Sequence, residues 1–193
     1  VTQQHNTTDS DANILNEEID QPLDLSTDHQ DGVKVQVEKI AKRQRQITAQ
    51  VEIPHPSELI WRVLTDYEAL AEFIPNLAKS RLLEHPSGGI RLEQVGSQRL
   101  LNFKFCARVV LDLEEYFPTK INFQMVEGDF KGFSGSWLLE PSSLDTVLGT
   151  NLSYTIQVWP KLTMPVALIE HRLSADLRLN LLAIRDRVEL LSS

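Results

Sequence analysis

Residues 164–191 read MPVALIEHRLSADLRLNLLAIRDRVELL. Val166, Ile169, Leu173, Leu177, Leu181, Ile184, Val188 and Leu191 recur there every three or four positions, the period of an amphipathic helix. At 1.5 Å per residue the segment predicts a rod of roughly 40 Å. Pro160 and Pro165 punctuate its start. Its apolar stripe requires an equally apolar surface, and residues 101–113, LNFKFCARVVLDL, supply one. Leu101, Phe103, Phe105, Ala107, Val109, Leu111 and Leu113 fall on one face of a strand, and Asn102, Lys104, Arg108, Asp112 and Glu114 on the other,.

Outward from these two segments the pattern repeats. Val33, Val35 and Val37 alternate with polar residues, and after a break so do Ile47, Ala49, Val51 and Ile53,. Pro54-His55-Pro56 ends that strand and opens a helix whose buried face is Ile60, Trp61, Val63 and Leu64,. Thr65 or Asp66 caps a second short helix through Leu70 and Phe73, stopped before Pro75,. Leu82-Leu83 and Ile90-Leu92 flank Pro86-Ser87-Gly88-Gly89, a hairpin signal,. Phe117-Pro118-Thr119 leads into Ile121, Phe123 and Met125; Gly128-Asp129 leads into Phe133, Gly135, Trp137 and Leu139. A loop between Pro141 and Gly149 precedes Leu152, Tyr154, Ile156 and Val158. Strands greasy on one face and wet on the other predict an antiparallel sheet covered on one side, in an α+β domain over residues 33–193.

Of the 27 acidic residues eight lie in the first 33 positions, which hold no Lys or Arg; the remaining 19 balance the 19 basic residues. All of the net charge of −8 therefore sits in residues 1–32, read as a flexible acidic tail with isolated apolars at Ile14, Leu15, Leu23 and Leu25,. A neutral body with an acidic tail is a poor partner for phosphate backbones, so nucleic acid is excluded as a partner. Cys106 is the single cysteine and allows no internal disulfide,. No apolar run reaches the 18 residues of a membrane span, and the N-terminus lacks the basic and apolar regions of a signal peptide,. The expectation is a cytoplasmic protein with peripheral membrane contact left open.

The order strand, two short helices, about six strands, long helix is the helix-grip order. Residues 61–76, WRVLTDYEALAEFIPN, resemble the signature of the polyketide cyclase/dehydrase and coenzyme-Q-binding branch of the StAR-related lipid-transfer superfamily. Residues 127–131 (EGDFK), Gly135-Ser136-Trp137, Met164-Pro165 and Leu177 to Arg185 are similar to it as well. The resemblance covers residues 34 to 191 and is strongest to cyanobacterial-type and plastid members. It implies a curved sheet of about six or seven strands wrapped around the C-terminal helix. Between sheet and helix it implies a cavity for a lipid, an isoprenoid quinone or a polyketide-like molecule.

No HExxH, CxxC, P-loop or GxGxxG pattern is present, and none of the five His residues is paired with a nucleophile,. No metal or other cofactor is expected. Cys106 falls on the polar side of its strand, an ordinary surface thiol. Inward-facing Phe103, Phe105, Phe123, Met125, Phe133, Trp137 and Tyr154 line either a pocket or a solid core,. On the long helix Leu173, Glu170 and Asn180 fall within the apolar stripe, and a carboxylate there must be paired, hydrated or protonated,. The loop before the helix holds Trp159, Leu162 and Met164, a candidate gate. Leu168, Ala175, Leu179, Leu182 and Leu190 form a second stripe on its back, which calls for a partner, a dimer or the docked tail,. Three functions follow: a non-catalytic carrier of a hydrophobic molecule, an aromatase/cyclase or dehydratase with Glu170 as acid/base group, and an assembly module using the second stripe.

Overall fold

Ile47, Ala49, Val51 and Ile53 are all buried, and the residues between them are not. That alternation makes their strand the floor on which the last helix rests. The computed structural model describes residues 31–100, 103–142 and 149–193, with side chains outside 98–105. The elements run β1 (Lys34–Ala41), β2 (Gln44–Ile53), α1 (Ser57–Thr65), α2 (Leu70–Phe73), β3 (Leu77–Leu83), β4 (Ile90–Leu100), β5 (Phe103–Tyr116), β6 (Lys120–Gly128), β7 (Gly132–Ser142), β8 (Gly149–Trp159) and α3 (Val166–Ser192). Among the described residues the strands form one antiparallel sheet in the order β1-β2-β8-β7-β6-β5-β4-β3. The architecture is the expected α+β arrangement of one sheet and a C-terminal helix. No described helix is long and apolar enough to cross a membrane.

The strand count corrects the sequence reading, which expected six or seven where the sheet has eight. Much of the difference lies at the start. The break after Val37 is a hairpin, with Ala41 paired to Gln44 across Lys42-Arg43 and a register shift after Lys39. That turn carries none of the Gly, Asn or Pro that mark hairpins, so it has no signal in the sequence.

α3 packs chiefly on β2, with further contacts to β1, α1, α2 and β8. Ile169, Leu177, Leu181, Ile184 and Val188 are its buried apolar residues, each worth about 1.5–3 kcal/mol of apolar burial. α1 and α2 carry the chain from β2, near one edge of the sheet, to β3 at the other edge. Ile60, Trp61, Val63 and Leu64 of α1 join the same core. Asp31 ties the entry of the chain to α3: Arg178 donates to its carboxylate, and Arg185 Nη1 donates to its carbonyl at 2.9 Å. The apolar residues of the tail, Ile14 to Leu25, lie outside the described residues.

Candidate functional site

Between the sheet and α3 lies a cavity of about 170 Å³. Its walls come from nearly every element. Leu64 and Tyr67 close it from the α1 side, Leu92 and Leu111 from β4 and β5, Ile156 from β8, and Leu177 and Ile184 from α3. Its rim holds Ile74, Pro75 and Asn76 from the corner after α2, Gly96 of β4, and Leu173 and Asp176 of α3.

Of the residues expected to hold a ligand, Phe123, Phe133, Trp137, Tyr154, Leu173 and Asn180 line this cavity together. The aromatics form one wall. Trp137 and Tyr154 are opposed across β7 and β8, their rings stacked at 3.7 Å and 4°. Phe123 and Phe133 stack at 5.8 Å. Gly135, between Phe133 and Trp137, makes this packing possible: a Cβ there would stand 2.6 Å from Phe123 Cζ and 2.0 Å from the Thr155 carbonyl oxygen. The space above Gly135 is thus occupied by the Phe123 ring.

Other expected residues stand elsewhere. Phe103 and Phe105 belong to β5, but their side chains lie outside those described. Met125 does not line the cavity. β6 bulges at Val126, which has no partner in the register between Glu127–Val110 and Met125–Leu111,. The Met125 sulfur turns to within 2.8 Å of where a Gly128 Cβ would stand. Glu170 is also absent from the lining. Its carboxylate meets Arg45 Nε at 2.5 Å, and the pair is largely buried. Arg45 precedes Ile47 on the inward face of β2, so the sheet supplies the partner that an inward carboxylate needs.

The gate loop does not line the cavity either. Arg43 Nη2 donates to the carbonyls of Lys161 (2.9 Å) and Met164 (2.8 Å), holding the loop to the β1–β2 turn. Lys131 Nζ sits 3.9 Å from the centre of a Trp159 ring. Leu162 stands free at 85% exposure. On the back of α3, Leu168 and Leu179 are more than a third exposed, while Leu182 packs against the core. The second stripe is therefore only partly open. Cys106 is exposed, as its strand position required.

Several lining residues escaped the sequence reading. Tyr67 donates its hydroxyl to the Glu115 carboxylate; burial first, then that carboxylate, pushes its phenol well above the usual value. Burial, and secondarily Asp176, does the same to Tyr154. Asn76 takes a left-handed backbone (φ 62°), which Asn tolerates better than most residues,. There its carbonyl accepts from Ser97 N at 2.8 Å and its Nδ2 donates to Asp176 Oδ1 at 3.1 Å, joining β4, the α2 corner and α3 at the rim. The only available signal was the position of Asn76 straight after Pro75. Asp176 lies at the margin of the helical stripe, where periodicity does not separate a rim residue from a solvated one. Among the described residues no cluster of three or more His, Cys, Asp or Glu is placed to hold a metal ion.

The chain is similar in fold to solved structures. A STAR-related lipid transfer protein of Xanthomonas axonopodis superposes with a TM-score of 0.68 at 17% identity, over 84% of this chain and 97% of that one. TTHA0849 of Thermus thermophilus gives 0.64 at 22% identity, over 77% and 99%. The Zhui aromatase/cyclase of a Streptomyces species gives 0.59 at 19% identity, over 76% and 94%. No curated protein matches the chain. Residues 53–182, well over half of the chain, match the model of the family described as polyketide cyclase / dehydrase and lipid transport, and the chain belongs to that family.

Proposed function

We propose that this protein binds and carries a hydrophobic small molecule without transforming it. The observation that carries the reading is the cavity itself: about 170 Å³ of space between sheet and helix, walled by aliphatic and aromatic side chains and open at a polar rim. Apolar surface removed from water there contributes roughly 25 cal/mol per Å². A lipid or an isoprenoid-quinone-like molecule suits such a site with its ring or chain end inside and the remainder passing the rim. Leu162, exposed on a loop that Arg43 holds in place, is the side chain we assign to transient contact with a membrane surface.

Native mass spectrometry of the purified protein, followed by extraction, tests the reading. A co-purifying apolar compound is expected, and Leu173→Trp, which fills the cavity from α3, should release it. A protein that emerges empty and takes up no apolar probe is no carrier. The pairing of Glu170 with Arg45, outside the lining residues, favours the carrier reading over the cyclase reading.

A further inference from the structure

The cavity has three properties that narrow its ligand, if the binding reading above holds. The first is size. About 170 Å³ compares with the roughly 150 Å³ apolar cavity that accepts one benzene ring,. An aromatic wall of Trp137 and Tyr154, with Phe123 and Phe133 beside it, suits a flat ring better than a flexible chain,.

The second is an unpaired polar group. The side-chain oxygen of Asn180 is buried and has no hydrogen-bond partner, on a residue that lines the cavity. An amide in that position is costly to leave unsatisfied and gains from a ligand that answers it. Tyr154 brings a phenol to the same cavity, a neutral group at neutral pH that can donate a hydrogen bond,.

The third is charge. Among the described lining residues Asp176 is the only one that carries a charge, and it is an acid. Glu115, which accepts from the lining residue Tyr67, adds a second carboxylate close by. An anionic head entering the cavity would be desolvated, and among the described lining residues no cationic side chain stands to meet it,.

We propose that the cavity selects an uncharged ring compound bearing a hydroxyl or carbonyl group, oriented by the Asn180 amide and the Tyr154 hydroxyl, and rejects carboxylates of the same shape. Three probes of matched outline test this by NMR titration of the full chain at neutral pH: toluene, p-cresol and p-toluate. Wild type should bind toluene and p-cresol and take p-toluate at least about tenfold more weakly than p-cresol. Asn180→Leu should lower the ratio of p-cresol to toluene affinity by about tenfold, the worth of one net hydrogen bond. Tyr154→Phe, which keeps the ring and its stack on Trp137, should lower the same ratio and serves where Asn180→Leu does not fold. A ratio unchanged in the folded variants, or p-toluate bound as tightly as p-cresol, overturns this inference and leaves the cavity reading standing. Failure of toluene and p-cresol alike to bind wild type overturns both.

Discussion

Two residues outside the cavity wall show how single side chains hold this protein together. Glu93 is almost fully buried on the outer face of the sheet, where it meets Lys79 Nζ at 2.6 Å, Arg108 Nε at 2.7 Å and Arg81 Nη2 at 3.0 Å. Lys79 first, then Arg108, draws its carboxyl down to about 2 from an ordinary 4.5. A depressed carboxylate stabilises the fold above its unfolded value and loses that contribution as pH falls towards its folded value. The melting temperature of wild type should therefore fall between about pH 4.5 and 2, and the gap between wild type and Glu93→Gln should close over the same interval. A gap independent of pH would mean that the charge of Glu93 contributes nothing. Gly135 is the opposite case, a site defined by what cannot be added. Gly135→Ala would set a methyl against the Thr155 carbonyl and the Phe123 ring. Overpacking of this kind costs about 1–3 kcal/mol or more. Denaturant unfolding should show that loss, with weaker uptake of any cavity probe.

At the level of elements, α3 meets the sheet by apolar packing along its length and by the Arg45–Glu170 ion pair near its start. Leu181 is fully buried, and Leu181→Ala should lower stability by about 2–5 kcal/mol in equilibrium unfolding. Glu170→Gln should act differently. It removes the charge that answers the buried Arg45, and stability should fall by about 1–3 kcal/mol while retention of a bound apolar probe stays unchanged. Loss of retention without loss of stability would place Glu170 in the site after all. The β1–β2 hairpin shows where periodicity stops being informative. Alternation marks Val35 and Val37 and then Ile47 to Ile53 as strand, yet the two-residue turn at Lys42-Arg43 is invisible because basic residues are common in strands and turns alike. Met125 shows the other limit. Counting by twos assigns it to the inner face, where it does pair with Leu111 and pack against the core, but its sulfur turns over Gly128 beyond the bulge at Val126, so it stands outside the cavity wall,.

For the molecule as a whole, the family match begins at Ile53, beyond nearly all of β2. Yet Ile47, Ala49 and Val51 belong to the buried core, and β2 is the strand on which α3 chiefly rests. A fragment of residues 53–193 should therefore fail to fold cooperatively by circular dichroism, whereas residues 31–193 should unfold in one transition. A folded shorter fragment would show that β2 is dispensable. The sequence by itself determined the elements and their sidedness, because a period of two or of 3.6 is written in each segment without reference to any other. It also determined which aromatics share a face, and thereby most of one cavity wall. Tertiary structure alone decided what those faces meet. It brought Arg45 to Glu170 from 125 positions away, set Asn76 against Asp176 at the rim, and left Asn180 without a partner inside. Such pairings join strands and helices that are remote along the chain, and no local pattern records a partner that only the closed fold supplies.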